Sequence, residues 1–215
     1  MYTTIDFLKD ILFPIFCIDC NKEGVWWCDS CQEKFPPRLH QENFSGGSSL
    51  DSLSFLFPFQ ENTGLAKLVH FFKYNFATDV KELWQTRIDK CKDESLVNET
   101  MVVVPVPLHP RRERWRGFNQ ADLVARTVSD RYQLPLAGQS LRRIRATAQQ
   151  AKLSKDDRQK NVKDAFVWSG GTPVPVEVIL VDDVFTTGAT MQECARVLKA
   201  NGARRVVGFV LGRAV

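Results

Sequence analysis

The sequence predicts an α/β protein: a mostly parallel sheet flanked by helices, preceded by a small N-terminal module built on four cysteines. Three observations lead there. From Met101 onward, short continuous apolar runs alternate with segments of helical periodicity, the pattern of a parallel sheet covered on both faces. Four of the six cysteines fall within 15 residues near the N-terminus. The chain has 215 residues, 44% hydrophobic and 25% charged, enough for one ordinary domain plus a small appendage and too short for two full-size domains. We therefore divide it into a cysteine module over residues 1–50 and an α/β domain over residues 51–215. The composition excludes global disorder, collagen and a coiled coil. No stretch approaches the ~18 apolar residues of a spanning helix, so no membrane insertion is expected. The first 16 residues are apolar but carry Asp6 and Asp10 without a basic n-region. They do not read as a secretory signal, and the expected location is cytoplasmic.

The cysteines run Cys17-x2-Cys20-x7-Cys28-x2-Cys31. Two residues between thiols bring both sulfurs to one side of a tight turn, and two such knuckles supply four thiolates at tetrahedral corners, which suits a structural zinc. Two disulfides are the alternative, but they call for an oxidising compartment. A catalytic redox pair is another, although one Cys-x-x-Cys would serve it. Trp26 and Trp27 lie between the knuckles, where packing a small core and stacking on a nucleobase are both open. Cys91 and Cys194 read as isolated buried thiols.

Along the chain, Ile5, Leu8, Ile11 and Leu12 predict a short amphipathic helix leading into the knuckles. The polar stretch Gln41 to Ser49 reads as a linker or long turn. Leu53 to Phe59 is strand-like, with alternating Phe55, Phe57 and Phe59 as core residues. Leu65, Leu68, Val69 and Phe72 set a helix of about three turns. Met101 to Val106 is a buried strand stopped by Pro105 and Pro107. A helix follows over 119–131, a strand over Val178 to Val181, a helix over 189–200 ended by Gly202, and a strand over Val206 to Leu211.

The most informative run is Val178-Ile179-Leu180-Val181-Asp182-Asp183-Val184-Phe185-Thr186-Thr187-Gly188-Ala189-Thr190. A buried strand leads through two adjacent carboxylates into a small-residue turn that opens a helix. Ligands of α/β folds bind at the carboxyl ends of strands. Ionised carboxylates are acceptors suited to paired sugar hydroxyls. The turn residues Thr186, Thr187, Gly188, Ala189 and Thr190 let backbone N–H groups approach a phosphate, with the helix N-terminus behind. A diol reader beside a phosphate cradle describes a site for ribose 5-phosphate.

Charge is uneven along the chain. Residues 1–100 hold 10 Lys+Arg against 15 Asp+Glu, whereas residues 101–215 hold 19 against 10, so the second half favours anions. Behind the strand ending near Pro107 come His109, Arg111, Arg112, Arg114 and Arg116, opposed only by Glu113. Guanidinium forks bind phosphate oxygens bidentately. Residues 142–163 carry Arg142, Arg143, Arg145, Lys152, Lys155, Arg158, Lys160 and Lys163 against Asp156 and Asp157. That cluster suits a nucleic-acid backbone.

The 13-residue run resembles the signature of type I phosphoribosyltransferases, which bind 5-phosphoribosyl 1-pyrophosphate. The wider chain resembles the ComF family of competence-related proteins, described as amidophosphoribosyltransferase-like. The match rests on that run, the four-cysteine module, Pro105-Val106-Pro107-Leu108-His109-Pro110 with Arg111 to Gln120 following, and Arg142 to Phe166. The resemblance implies the type I phosphoribosyltransferase fold and assigns Asp182 and Asp183 to catalysis. His109 with the four arginines behind it, and Arg142, Arg143 and Arg145, fall to substrate binding. It also implies magnesium arriving with the donor, held mainly by the donor's own oxygens. It further implies a role in DNA uptake and natural transformation. A non-catalytic single-stranded-DNA-binding factor is the alternative, and a partner of a DNA-uptake helicase a third reading. The chain starts Met1-Tyr2-Thr3 and its first 50 residues hold the cysteine module, so release of ammonia from glutamine is not expected of it.

Overall fold

The computed structural model describes residues 14–60, 63–74, 78–91, 97–146, 160–169 and 171–214. The amphipathic segment expected at residues 5–12, and Lys152, Lys155, Asp156, Asp157 and Arg158 of the basic stretch, lie outside the described residues.

A five-stranded sheet forms the centre, in the order β1-β2-β7-β6-β3. Its strands are β1 (His40–Asn43), β2 (Ser52–Phe59), β3 (Val102–Pro105), β6 (Glu177–Phe185) and β7 (Arg205–Ala214). β2, β7, β6 and β3 run parallel, and β1 joins the β2 edge antiparallel. The polar stretch read as a linker thus contains an edge strand. Its alternating half-exposed pattern carries no apolar signal, so pairing with β2 alone reveals it. The helices are α1 (Asp29–Glu33), α2 (Gly64–Tyr74), α3 (Thr78–Lys90), α4 (Pro110–Arg116), α5 (Gln120–Tyr132) and α6 (Ala189–Ala200). Strands β4 (Leu141–Arg143) and β5 (Phe166–Trp168) form a separate antiparallel pair. The architecture is a mixed α/β fold around a mostly parallel sheet, as the periodicity predicts.

One face of the sheet packs against α2, α3 and α5. Phe57, Leu65, Trp84, Val124, Ile179 and Phe209 form its core, and Cys17, Trp27, Cys28 and Cys31 belong to the same cluster. The opposite face packs α6 and the β4–β5 pair through Leu53, Leu141, Phe166, Leu180, Met191 and Val210. Burying such side chains contributes roughly 1.5–3 kcal/mol each.

The cysteine segment is fastened to the sheet by Arg87 of α3. Its guanidinium stacks 4.4 Å from the Trp27 ring and 5.3 Å from that of Phe57. It also donates to the carbonyls of Phe35 (2.6 Å) and Gln32 (3.3 Å). Trp27 is buried, and the Trp26 ring lies 4.5 Å from that of Phe71. Both tryptophans are packing residues.

Side-chain alternation slips by one residue toward the carboxyl ends of β2 and β6. Adjacent Leu56 and Phe57 fall in one cluster, and Leu180 shares the other with Phe185, five positions on. Strict period-2 alternation would separate each pair. Phe55 and Phe57, expected on one face, therefore lie on opposite faces.

Candidate functional site

Strand β6 does not stop at Val181, where its continuous apolar run ends. β7 continues beside it, so Asp182, Val184 and Phe185 pair with Val210, Gly212 and Arg213. The register skips Asp183, and the slip in alternation falls there. The two acids thus sit inside the strand, where the pleat breaks. Asp182 is half-buried and Asp183 is 7% exposed. The Asp182 carboxylate accepts the Asp183 N–H at 2.8 Å. Its charge reaches Arg143 and Cys194, which places it on the α6 side of the sheet.

The turn after β6 has the conformation its small residues suggested. Gly188 is the N-cap of α6 with φ 76°, a left-handed value that favours glycine. A Cβ there would lie 2.8 and 2.9 Å from Phe185 Cε2 and Cε1, and closer still to Cζ. The ring of Phe185 fills the space under the turn. No side chain caps α6, so its first N–H groups lack an intrahelical partner. Beside them, the Thr187 hydroxyl oxygen is buried without a hydrogen-bond partner among the described residues. A buried unsatisfied hydroxyl costs about 1–3 kcal/mol unless a ligand or water completes it. A buried hydroxyl beside a helix start that no side chain caps suits an anion.

Arg213 buttresses this turn from β7, and the sequence reading missed it. Its guanidinium lies 5.0 Å over the Phe185 ring, donates to the Thr186 carbonyl at 3.3 Å and pairs with Glu42 at 3.4 Å. Only the parallel register Phe185↔Arg213 brings it there, and no local motif marks it.

The arginine-rich segment behind β3 forms the seven-residue helix α4. His109 caps it, its Nδ1 accepting the Arg111 N–H at 3.2 Å. Pro110 stands at the first helical position, and Gly117 closes the helix at φ 81°. Arg116 donates to Gln120 at 3.2 Å. Asn119 then caps α5 and donates to the Val106 carbonyl at 3.1 Å, tying the helix to the end of β3.

Arg143 is the buried arginine of β4, 6% exposed, with its guanidinium 5.2 Å over the Phe166 ring. Burial pushes its pKa down, the Arg112 and Arg145 charges add to that, and Asp182 and Cys194 oppose it. Motifs centred on residues 112, 143 and 182 therefore converge on one charged neighbourhood. Arg142 and Arg145 are exposed. Arg142 donates to the Gln139 carbonyl at 3.3 Å and Arg145 to that of Asn161 at 3.2 Å. Arg111 and Arg114 are exposed on α4.

The cysteine cluster stands apart from this neighbourhood. The Sγ atoms of Cys17, Cys20, Cys28 and Cys31 all lie within 4.8 Å of one another, and none forms a disulfide. Zn–S bonds of about 2.3 Å in a tetrahedron put sulfurs about 3.8 Å apart, so the cage has the right size for zinc. Against the effect of burial, backbone N–H groups of Cys20, Cys28 and Asp19 bring the Cys17 thiol down to about 6, whereas burial and the neighbouring thiols push the Cys31 thiol up. Among the described residues this is the one cluster of three or more His, Cys, Asp or Glu donors. No described helix is long and apolar enough to cross a membrane.

Fold and site together define an α/β protein with a four-cysteine cluster and a glycine-capped strand–turn–helix. Competence protein F of Haemophilus influenzae is 29% identical over 210 residues, covering 94% of this chain and 86% of that protein. Competence protein ComFC of Bacillus subtilis is 29% identical over 151 residues, 70% of this chain and 55% of its own. DNA utilization protein YhgH of Escherichia coli is 40% identical over 114 residues, 52% of this chain and 48% of its own. The matched part thus spans about half the length of YhgH and of ComFC. The chain is thus similar to competence proteins and DNA utilization proteins, in keeping with its resemblance to the ComF family. No protein-family model matches it. A solved structure from Thermus thermophilus, TT1426, covers 64% of this chain and 82% of its own at 17% identity, with a TM-score of 0.34.

Proposed function

We propose that this protein binds 5-phosphoribosyl 1-pyrophosphate at the turn between β6 and α6, on a type I phosphoribosyltransferase fold, and serves DNA uptake in natural transformation from the cytoplasm. The binding reading is carried by the buried, unpartnered Thr187 hydroxyl beside the uncapped start of α6. The names of the relatives, competence proteins and a DNA utilization protein, support the cellular role.

In this reading the 5-phosphate takes the Thr187 hydroxyl and the first N–H groups of α6. Asp182 and Asp183 accept from the ribose hydroxyls. Arg112 and Arg143, with the exposed arginines of α4, receive the pyrophosphate. In a transfer step the bond from C1 to the pyrophosphate oxygen breaks, and pyrophosphate leaves with the bonding pair. The arginines stabilise the charge it gains. The carboxylates balance the positive charge growing on the sugar, and an acceptor nucleophile supplies the new bond to C1. Magnesium, which accompanies such a donor, is held mainly by the donor's own oxygens.

Cys17, Cys20, Cys28 and Cys31 hold one zinc ion in this proposal. Four thiolates leave no open coordination position, so the metal's contribution is to crosslink the segment.

Calorimetry with the donor and magnesium tests the site. Replacing Asp182 and Asp183 together by Asn abolishes binding while circular dichroism stays unchanged. Thr187→Val weakens it about tenfold or more, the loss of one hydrogen bond to a charged group. Unaltered donor affinity in both variants refutes the assignment.

A further inference from the structure

We infer that Cys20 is an oxidation site, and that a peroxide converts the four-cysteine cage into a Cys20–Cys28 disulfide that no longer holds a metal. The inference rests on the zinc assignment made above and goes beyond it.

The four sulfurs are not equivalent. Cys17, Cys28 and Cys31 are buried, at 0, 4 and 1% exposure, and belong to the core on one face of the sheet, whereas Cys20 is exposed. Lys34 stands beside Cys31 as well, its Nζ 3.9 Å from that sulfur and 3.1 Å from the Asp19 carboxylate. A small oxidant arriving from solvent therefore meets Cys20 first. Thiolates rather than thiols react with peroxides, and metal ligation keeps cysteines in that form. An oxidised cysteine stops at a disulfide only when a second sulfur is within reach. Here the Cys28 Sγ lies 3.5 Å from the Cys20 Sγ.

The chemistry runs in two steps. The Cys20 thiolate attacks one peroxide oxygen, the O–O bond breaks, and hydroxide leaves with the bonding pair, giving the Cys20 sulfenic acid. The Cys28 thiolate then attacks the Cys20 sulfur and expels a second hydroxide. Each sulfur loses one electron overall, and the peroxide oxygens take up both. Cys17 and Cys31 remain as thiolates, half of the set a structural zinc needs. The consequence reaches the sheet. Cys28 is the N-cap of α1, and its carbonyl accepts the N–H groups of Cys31 and Gln32, both at 2.9 Å. The Gln32 side chain donates to the Trp27 carbonyl at 2.8 Å, and the Gln32 carbonyl accepts from Arg87. Drawing Cys28 onto Cys20 therefore disturbs the same short helix that Arg87 grips, and oxidation loosens the module where it is fastened to the sheet.

The test uses the full chain loaded with zinc, its metal content measured before hydrogen peroxide is added. Zinc released to a colorimetric chelator is followed together with disulfides mapped by mass spectrometry. The expected result is loss of zinc in step with a Cys20–Cys28 disulfide, reversed by dithiothreitol and added zinc. Cys91 and Cys194, buried and outside the cage, stay reduced. Cys20→His keeps four ligands, since imidazole also binds zinc, and should release its metal at least about tenfold more slowly. Cys31→His, the matching change at a buried sulfur, should stay within about threefold of the unaltered chain. Zinc retained in excess peroxide, a first disulfide that omits Cys20, or equal release from Cys20→His and the unaltered chain overturns the inference. Should Cys20→His bind no metal, disulfide mapping on the unaltered chain decides. A chain that takes up no zinc overturns the metal assignment and this inference together, whereas one that takes up zinc and resists peroxide overturns this inference alone.

Discussion

Replacing Gly188 by Ala tests the turn on which the proposed site depends. Two costs can be worked from the structure. The residue sits at φ 76°, and holding an L-residue in the left-handed region costs roughly 1–2 kcal/mol. The added methyl would also fall on the Phe185 ring, under 3 Å from Cε1 and Cε2. That ring is 5% exposed and held between Arg213, at 5.0 Å, and Phe44, at 6.1 Å between centroids. It therefore moves only by disturbing both, an overpacking cost of about 1–3 kcal/mol. The sum is roughly 2–5 kcal/mol, read as a lower urea midpoint at constant slope. The two parts separate in a double-mutant cycle. Phe185→Ala alone costs about 3–5 kcal/mol. In the Phe185→Ala background, Gly188→Ala loses its clash and costs only the backbone part, so the pair couples by about 1–3 kcal/mol. Donor binding measured alongside falls in Gly188→Ala even at temperatures where the protein stays folded. A Gly188→Ala cost below about 0.5 kcal/mol, or strictly additive variants, refutes the account of the turn.

Arg87→Ala removes two bonds to carbonyls and two aromatic stacks, and should cost about 3 kcal/mol or more in chemical denaturation. Arg87→Lys recovers less than half, since an ammonium cannot serve two carbonyls and lie flat on two rings. Stripping zinc with a chelator should lower the melting temperature and change the near-ultraviolet signal of Trp27, whose ring shares a core with Cys17 and Cys31; an unchanged melt counts against a structural metal. Glu193 tests the acid limb. Burial pushes its carboxyl up, but the Arg196 guanidinium and the Asp164 N–H hold it below 4.5. The folded carboxyl thus binds its proton less tightly than the unfolded one. Its stabilisation is complete above about the unfolded value and is lost as pH falls through the folded value. Glu193→Gln should therefore flatten the loss of stability below pH 4.5, measured by denaturation at successive pH values.

Much of the fold was legible where local chemistry decides. Continuous apolar runs marked β3 and the first half of β6, because a strand buried on both faces has no polar positions to lose. The α6 boundaries followed from Gly188 and Gly202, where the chain turns left-handed at φ 76° and 118°. The Cys-x2-Cys spacing set the sulfur cage, since each knuckle closes locally. The edge strand β1, helix α3 and the β4–β5 pair were not legible. β1 has no apolar face, and α3 is weakly patterned because its buried positions include Arg87 beside Trp84 and Ile88.

The sequence by itself determined the small residues of the turn, the adjacent acids and the arginine-rich segments, for these are fixed by side-chain type and short-range backbone geometry. Tertiary structure alone decided that β6 runs on through Asp182 and Asp183, that Arg213 braces Thr186, and that the charges of Arg112 and Asp182 reach Arg143. Each of those depends on strands pairing across long stretches of chain. Register between distant segments is set by how whole faces bury together, which no single segment encodes.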